Sequence, residues 1–370
     1  MHFNARKPFA DHLESIRQLD PIVQSPHSLS PADIDQPDLQ AFARLISPKT
    51  DDELAAMASR AQQITRQRFG NTIQLYAPLY ISNICCNGCT YCGFHVGSGA
   101  RRGLLSDQEV RSEADTIHAM GFRHLLLVSG EDPKGVPPTR FASLIATLKP
   151  SFPSVSLEVY PMGVDEYRLV REAGADGVTL YQETYDLDLY RRYHPSGPKA
   201  DYLARLDAME RVGLSEMPRM NVGVLLGLAP FRQEALRVAA HALYLQKRFW
   251  KSLVAVSIPR MREAQGGIAP PHPVSDRDLL HLVLAYRILL PDSPLVLSTR
   301  EPAAVRDRLA TLGITQMSAG SKTEPGGYAA KEDPYEAQFH VEDGRSPDEV
   351  ARRLRDLGLD PVWKDWEGFL

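Results

Sequence analysis

The residues best able to do chemistry are concentrated in one decapeptide, CCNGCTYCGF, residues 85–94. It holds all four cysteines of a 370-residue chain: Cys85, Cys86, Cys89 and Cys92. The N-terminus carries charges throughout and no apolar secretory segment, so a reducing, cytoplasmic setting is expected. Clustered thiols there point to metal ligation or redox chemistry rather than disulfides. The spacing C-x3-C-x2-C puts three thiolates on one short loop. Four thiolates saturate a four-iron, four-sulfur (4Fe-4S) cluster, so three leave one iron open to a further ligand. Zinc is the alternative, because His95 follows Cys92 at x2 and completes a Cys3His set. Structural zinc sites usually divide their ligands into two spaced pairs, which favours the cluster. Cys86 is adjacent to Cys85 and is expected to point elsewhere, as a small buried hydrophobe.

A loop of this kind needs a frame, and the rest of the chain supplies one. Residues 1–72 read as a polar helical extension, with helix starts at Ser30-Pro31 and Ser47-Pro48 and a long pattern from Asp51 to Phe69. Beyond it, eight short apolar runs alternate with helical patterns: Leu79–Ser82, His124–Val128, Val155–Tyr160, Gly177–Tyr181, Asn221–Leu226, Leu253–Ile258, Leu295–Ser298 and Gln316–Ser318. Eight β-then-α units predict the α/β class and a (β/α)8 TIM-type barrel over residues 73–370, including a C-terminal helical segment. Pro78 cannot donate to a ladder, so the first strand is expected to begin after it. The last run has little bulk, which leaves an incomplete, open barrel as the alternative. Capping boxes at Ser106 and Ser346 mark helix starts, and Gly121, Gly174, Gly213, Gly313 and Gly358 mark helix ends.

Barrel chemistry sits at the C-terminal ends of the strands. Those ends read Ser82-Asn83, Ser129-Gly130-Glu131, Tyr160-Pro161, Gln182-Glu183-Thr184, Gly227-Leu228, Pro259-Arg260, Thr299-Arg300-Glu301 and Ser318 to Lys322. Polar or glycine groups therefore gather on one rim. With 43% hydrophobic residues the chain can bury a substantial core, and a dispersed net charge of −4 offers no attraction to nucleic acid. No apolar run approaches the roughly 20 residues of a membrane span.

C-x3-C-x2-C with Tyr91 before the last cysteine resembles the radical S-adenosylmethionine (SAM) superfamily. The likeness continues in order from about Leu75 to Leu370: LYISNICCNGCTYCGF, HLLLVSGE, LYQETY, VGVLLGL, SIPRMR, LSTREP, SAGSKTEPGGY and PVWKDW. Together these stretches resemble the 2-iminoacetate synthase family, the tyrosine lyases of thiamine biosynthesis. The resemblance implies one 4Fe-4S cluster held by Cys85, Cys89 and Cys92, with SAM chelated at the open iron. It implies hydrogen abstraction from the tyrosine amino group, then Cα–Cβ scission to 2-iminoacetate (dehydroglycine) and 4-cresol. SAM would leave as 5′-deoxyadenosine and methionine. It also implies thiazole synthase as product acceptor and a flavodoxin or ferredoxin-type electron donor.

Residue roles follow on the same footing. Glu131 resembles the Gly-Glu element that binds the methionine amino group, against a solvated loop acid. Tyr91 and Phe94 would cover the adenine, and Gly223, Gly227 and Leu228 would allow close approach of the nucleoside. Glu183 would take the ribose hydroxyls and Arg205 the methionine carboxylate. For tyrosine, Arg300 is the first candidate carboxylate clamp, since guanidinium matches carboxylate at two points; a salt bridge to Glu301 is its structural alternative. Arg260 is the second candidate. Tyr80, Ser318 and Ser321 would orient the amine and phenol.

Three rival readings bear on function. The tyrosine lyase of hydrogenase maturation carries a second cluster on further cysteines, and none follows Cys92 here. A tryptophan lyase of the same superfamily shares only scattered strand-end motifs. A zinc-stabilised binding module would use Cys85, Cys89, Cys92 and His95 alone and leave the polar rim unexplained.

Overall fold

The structure, a computed structural model, describes residues 3, 4, 6–35, 37–329 and 335–364. The end of PVWKDW lies outside the described residues. Eight parallel strands close into a barrel: β1 (Thr72–Ser82), β2 (His124–Ser129), β3 (Ser154–Glu158), β4 (Gly177–Glu183), β5 (Arg219–Val224), β6 (Leu253–Ser257), β7 (Leu295–Leu297) and β8 (Gln316–Ser318). β1 pairs with both β2 and β8, so the open alternative does not hold. A ninth strand, β9 (Asp360–Val362), adds to the beginning of β1.

β1 starts seven residues before Leu79 and runs through Pro78, contrary to the expectation from proline. The reason is which side Pro78 faces. Pairing of β1 with β8 ends at Tyr76–Ser318, so the missing N–H falls where β8 has already stopped. The Pro78 carbonyl is met by the Tyr328 hydroxyl at 2.9 Å.

Strand residues alternate between two environments, as the pleat requires. Val155 and Leu157 of β3 join the core under the helices, as do Leu125 and Leu127 of β2. The alternate residues Ser154, Ser156 and Glu158 face cavities in the lumen. Barrel lumens are normally filled by branched apolar side chains. Here the lumen also carries Thr179, Asn221, Ser318 and the tyrosines Tyr76, Tyr80 and Tyr181.

Most helices start at the expected caps, but Ser47-Pro48 lies in the turn before Asp51–Phe69, because Thr50 caps that helix instead. Ser106 and Ser346 form complete capping boxes, and Thr50 does the same for Asp51–Phe69. Gly121, Gly174 and Gly358 are left-handed, as helix ends often require. Gly213 instead lies inside Ala208–Leu214, because the Phe249 ring occupies the space of a Cβ, 2.5 Å away. The N-terminal helices do not stand apart: Phe9, Phe42 and Leu45 belong to the same buried cluster as the barrel strands. Among the described residues no helix is long and apolar enough to cross a membrane.

Candidate active site

The cysteine loop leaves β1 at the C-terminal mouth and is held by polar contacts rather than by regular structure. Asn83 accepts from the Gly103 N–H at 2.7 Å and donates to the Arg101 and Glu336 carbonyls. Arg102 donates to the carbonyls of Asn83, Phe94 and His95. From the next strand end, Cys86 N–H donates to the Glu131 carbonyl, and Gly130 passes so close that a Cβ would sit 2.2 Å from the Ile84 oxygen. Only glycine fits there.

Cys89 is buried, Cys85 and Cys92 are partly buried, and Cys86 is exposed. Cys86 therefore points away from the others, though to solvent rather than into a core. Burial pushes the Cys89 thiol up to about 12 and raises Cys92 as well, so loading a metal at this loop must displace protons. Among the described residues no three His, Cys, Asp or Glu side chains converge on a single ion. A tetrahedral zinc site needs that convergence. A cubane cluster instead takes each thiolate on a different iron, around a larger space. His95 is also poorly set as a fourth zinc ligand: Nδ1 accepts from Gly97 N–H, which leaves the ring proton on Nε2, the nitrogen without a hydrogen-bond partner among the described residues. The donor set fits the cluster. Two thiols receive side-chain amides, Cys85 from Asn87 at 3.6 Å and Cys92 from Gln338 at 3.8 Å.

Below the loop, three small adjoining cavities of about 40, 80 and 100 Å³ share Glu158 and Tyr181 in their walls. The middle one is lined by Cys89, Tyr91, Cys92, Lys199 and Arg300. A larger cavity of about 240 Å³ lies at the opposite end of the barrel and contains none of the expected site residues. Size is the poorer guide here, because catalysis in this fold belongs to the C-terminal mouth.

On the β2 and β4 side, every carboxylate has a partner. Glu131 accepts from Asn87 Nδ2 at 2.6 Å. Glu183 lies 2.7 Å from Lys199 Nζ and 3.7 Å from Arg205. Burial pushes the Glu183 carboxyl up, but Lys199 and Arg205 outweigh it and hold the group below its ordinary value. Glu183 also has a left-handed backbone (φ 69°), which costs about 1–3 kcal/mol in a non-glycine residue and persists where the surroundings enforce it. Arg205 is buried and not an exposed helical arginine; its Nε donates to the Tyr181 carbonyl at 2.9 Å. Tyr91 lines the middle cavity and donates from its hydroxyl to His194 Nε2 at 2.8 Å. His194 Nδ1 faces the Tyr190 carbonyl, and burial lowers this imidazole to about 3, so it stays neutral and fixes the Tyr91 ring.

The β7 side is different. Arg300 sits over the Phe339 ring, its guanidinium carbon 3.3 Å from the centroid, and forms no ion pair among the described residues. Glu301 is taken instead by Arg260 and Arg262, with Arg260 also reaching Asp276 at 2.8 Å. Arg260 lines none of the three mouth cavities, so the second candidate clamp is a buried strut between the loops after β6 and β7.

The other expected residues divide similarly. Tyr80 lines the inner cavity and donates to Gln338 Oε1 at 2.8 Å, whereas Phe94 packs edge-on behind it. Ser318 accepts from Thr299 N–H, while the buried Ser321 hydroxyl has no hydrogen-bond partner among the described residues. Both line that cavity. Leu228 packs with Cys89, Tyr91 and Met261, away from the cavities. Gly223 and Gly227 have backbone reasons of their own: a Cβ on Gly223 would meet the Ser257 carbonyl at 1.9 Å, and Gly227 is left-handed (φ 117°). Sequence reasoning missed Glu158, Lys199, Tyr181 and Gln338. The alternation of Ser154, Ser156 and Glu158 was the available signal for the first.

Comparison with known proteins agrees with this geometry. Residues 79–235 match the Radical SAM superfamily, and residues 257–360 the Biotin and Thiamin Synthesis associated domain. The 2-iminoacetate synthase of Salmonella typhimurium is 41% identical over 93% of this chain and 90% of its own length. That of Escherichia coli is 43% identical over 88% and 86%. Among solved structures, HydG, a maturase of the FeFe-hydrogenase, matches with TM-score 0.84 and 33% identity, over 97% of this chain and 78% of that one. Methylornithine synthase (PylB) matches in fold, with TM-score 0.71 and 21% identity. Similarity over nine-tenths of the chain, and a three-thiol loop at the mouth of a closed barrel, make this chain a member of the 2-iminoacetate synthase family of the radical SAM superfamily.

Proposed function

We infer that this chain cleaves the Cα–Cβ bond of L-tyrosine, giving 2-iminoacetate and 4-cresol, with SAM consumed to 5′-deoxyadenosine and methionine. When bound, the cluster and SAM supply the radical that begins the reaction. The chain's own part is to bind, orient and exclude water. Cys85, Cys89 and Cys92 hold the cluster. Glu131, steadied by Asn87, takes the methionine ammonium, and Glu183, steadied by Lys199, takes the ribose hydroxyls. Arg205 serves the methionine carboxylate, and Tyr91, fixed by His194, covers the adenine. Arg300 grips the tyrosine carboxylate at two points, which fixes the amine toward the radical. Tyr80 and Ser321 bound the inner cavity, where the phenol would lie.

The observation that carries this reading is the junction of the thiol loop with a lumen where Arg300 has no acidic partner among the described residues. A carboxylate-bearing substrate supplies that partner. In the cell the reaction belongs to the cytoplasm, with a flavodoxin or ferredoxin-type donor supplying the electron and thiazole synthase receiving the imine. The test is an anaerobic assay of the reconstituted chain with tyrosine, SAM and reductant. 4-Cresol and 5′-deoxyadenosine are expected together. Cleavage of SAM that leaves tyrosine intact would overturn the substrate assignment.

A further inference from the structure

Three acidic side chains reach the mouth cavities, and one of them is unlike the other two. Glu131 is bonded to Asn87, and Glu183 to Lys199. The Glu158 carboxylate, at the lumen end of β3, makes no hydrogen bond and no ion pair among the described residues, yet it lines all three cavities. A carboxylate enclosed in this way loses solvation with no fixed donor to replace it. Burial accordingly pushes this carboxyl up to about 7, with Arg300 opposing and Glu183 adding to the shift.

Topology completes the picture. In an eight-stranded barrel closed in sequence order, β3 and β7 stand opposite each other. Glu158 ends β3, and Arg300 follows β7. One unpaired carboxyl and one unpaired guanidinium thus face a shared space across the lumen, both line the inner and middle cavities, and an ammonium placed at the carboxyl would favour its ionised form. The two groups do not satisfy each other, since no ion pair forms between them within 4 Å. An α-amino acid carries the complementary pair of charges on one carbon.

We propose that Glu158 receives the α-amino group of the amino-acid substrate while Arg300 holds its carboxylate. The two residues then read a zwitterion from opposite walls, and the side chain is left to the inner cavity. This rests on the tyrosine reading above and deepens it. Glu158 is a substrate-binding residue in this account, separate from the groups assigned to SAM.

The experiment measures binding to the anaerobically reconstituted, SAM-loaded full chain, with two probes: L-tyrosine and its des-amino analogue, 3-(4-hydroxyphenyl)propanoate. Glu158→Gln keeps the shape and removes the charge. It should weaken tyrosine binding roughly 10- to 100-fold, the span of a hydrogen bond to a charged group. It should leave the analogue's affinity, the cluster absorbance and SAM binding at parent values. Equal losses for both probes would make Glu158 a determinant of cavity shape and overturn the proposal. So would loss of SAM binding, which would move Glu158 to the cofactor. If the parent prefers tyrosine over the analogue and the variant keeps that preference, Glu158's role falls while the tyrosine reading stands. If the parent shows no such preference, the substrate reading itself falls, and the proposal with it.

Discussion

At the barrel mouth, the ends of β2 and β4 hold charge in one way and the ends of β3 and β7 in another. Glu131 and Glu183 have partners at 2.6 and 2.7 Å, supplied by the cysteine loop and by the segment after β4. Glu158 and Arg300 have no charged partner within 4 Å among the described residues. Fixed partners hold a side chain in one geometry before any ligand arrives, which suits a cofactor that must bind in one pose every time. Charges without partners are costly in an enclosed space, and a ligand that completes them recovers that cost as affinity. On the proposed reading, the β2 and β4 side serves the cofactor and the β3 and β7 side the substrate. Arg260 sharpens it, since this arginine, on a neighbouring strand end, is tied to Glu301 and Asp276 and has no charge to offer.

Removing a cluster ligand should have the largest effect and abolish both halves. Cys85→Ala is expected to lose the brown cluster absorbance and its iron after anaerobic reconstitution, whereas Cys86→Ala keeps both, because Cys86 faces solvent. Equal bleaching of the two variants would remove Cys86 from its bystander role and undo the ligand assignment.

Next in size is Glu131→Ala, which should stay folded and brown while SAM cleavage drops roughly 100-fold, with or without tyrosine, as for a misplaced reacting group. Parent-rate cleavage in this variant would sink the division of the mouth into two halves.

The smallest effect is expected from Arg300→Lys, which keeps the charge and loses the planar two-point grip. SAM cleavage should persist, with 4-cresol falling roughly tenfold and the ratio of deoxyadenosine to cresol rising accordingly. Arg260→Lys should lower thermal stability and leave that ratio alone. If the two variants exchange these behaviours, the clamp is Arg260, and the loop after β7 must move on binding.

The thiol spacing, the eight βα units, the capping boxes and the family resemblance were all legible in the chain. They are local: a capping box spans four residues, a cysteine loop eight, and each strand is a short run. Even so, the sequence predicts β1 as too short, because the harm done by Pro78 depends on where β8 ends. Glu158 is hidden in the sequence inside an apolar run, SVSLEVY, whose alternation marks a lumen face only once the barrel is closed.

Charge partnership was decided by the tertiary structure alone. Arg260 and Arg300 lie 40 residues apart, beside similar neighbours, and nothing in the sequence says which of them takes Glu301. The answer comes from packing: Glu301 turns into the buried gap where Arg260 and Arg262 meet it, and Arg300 is left over the Phe339 ring with its charge facing the lumen. The sequence by itself determined which groups are present and at which rim they emerge. Which of them remain available to a ligand is a matter of distances between segments far apart in the chain, and these exist only after the barrel has closed.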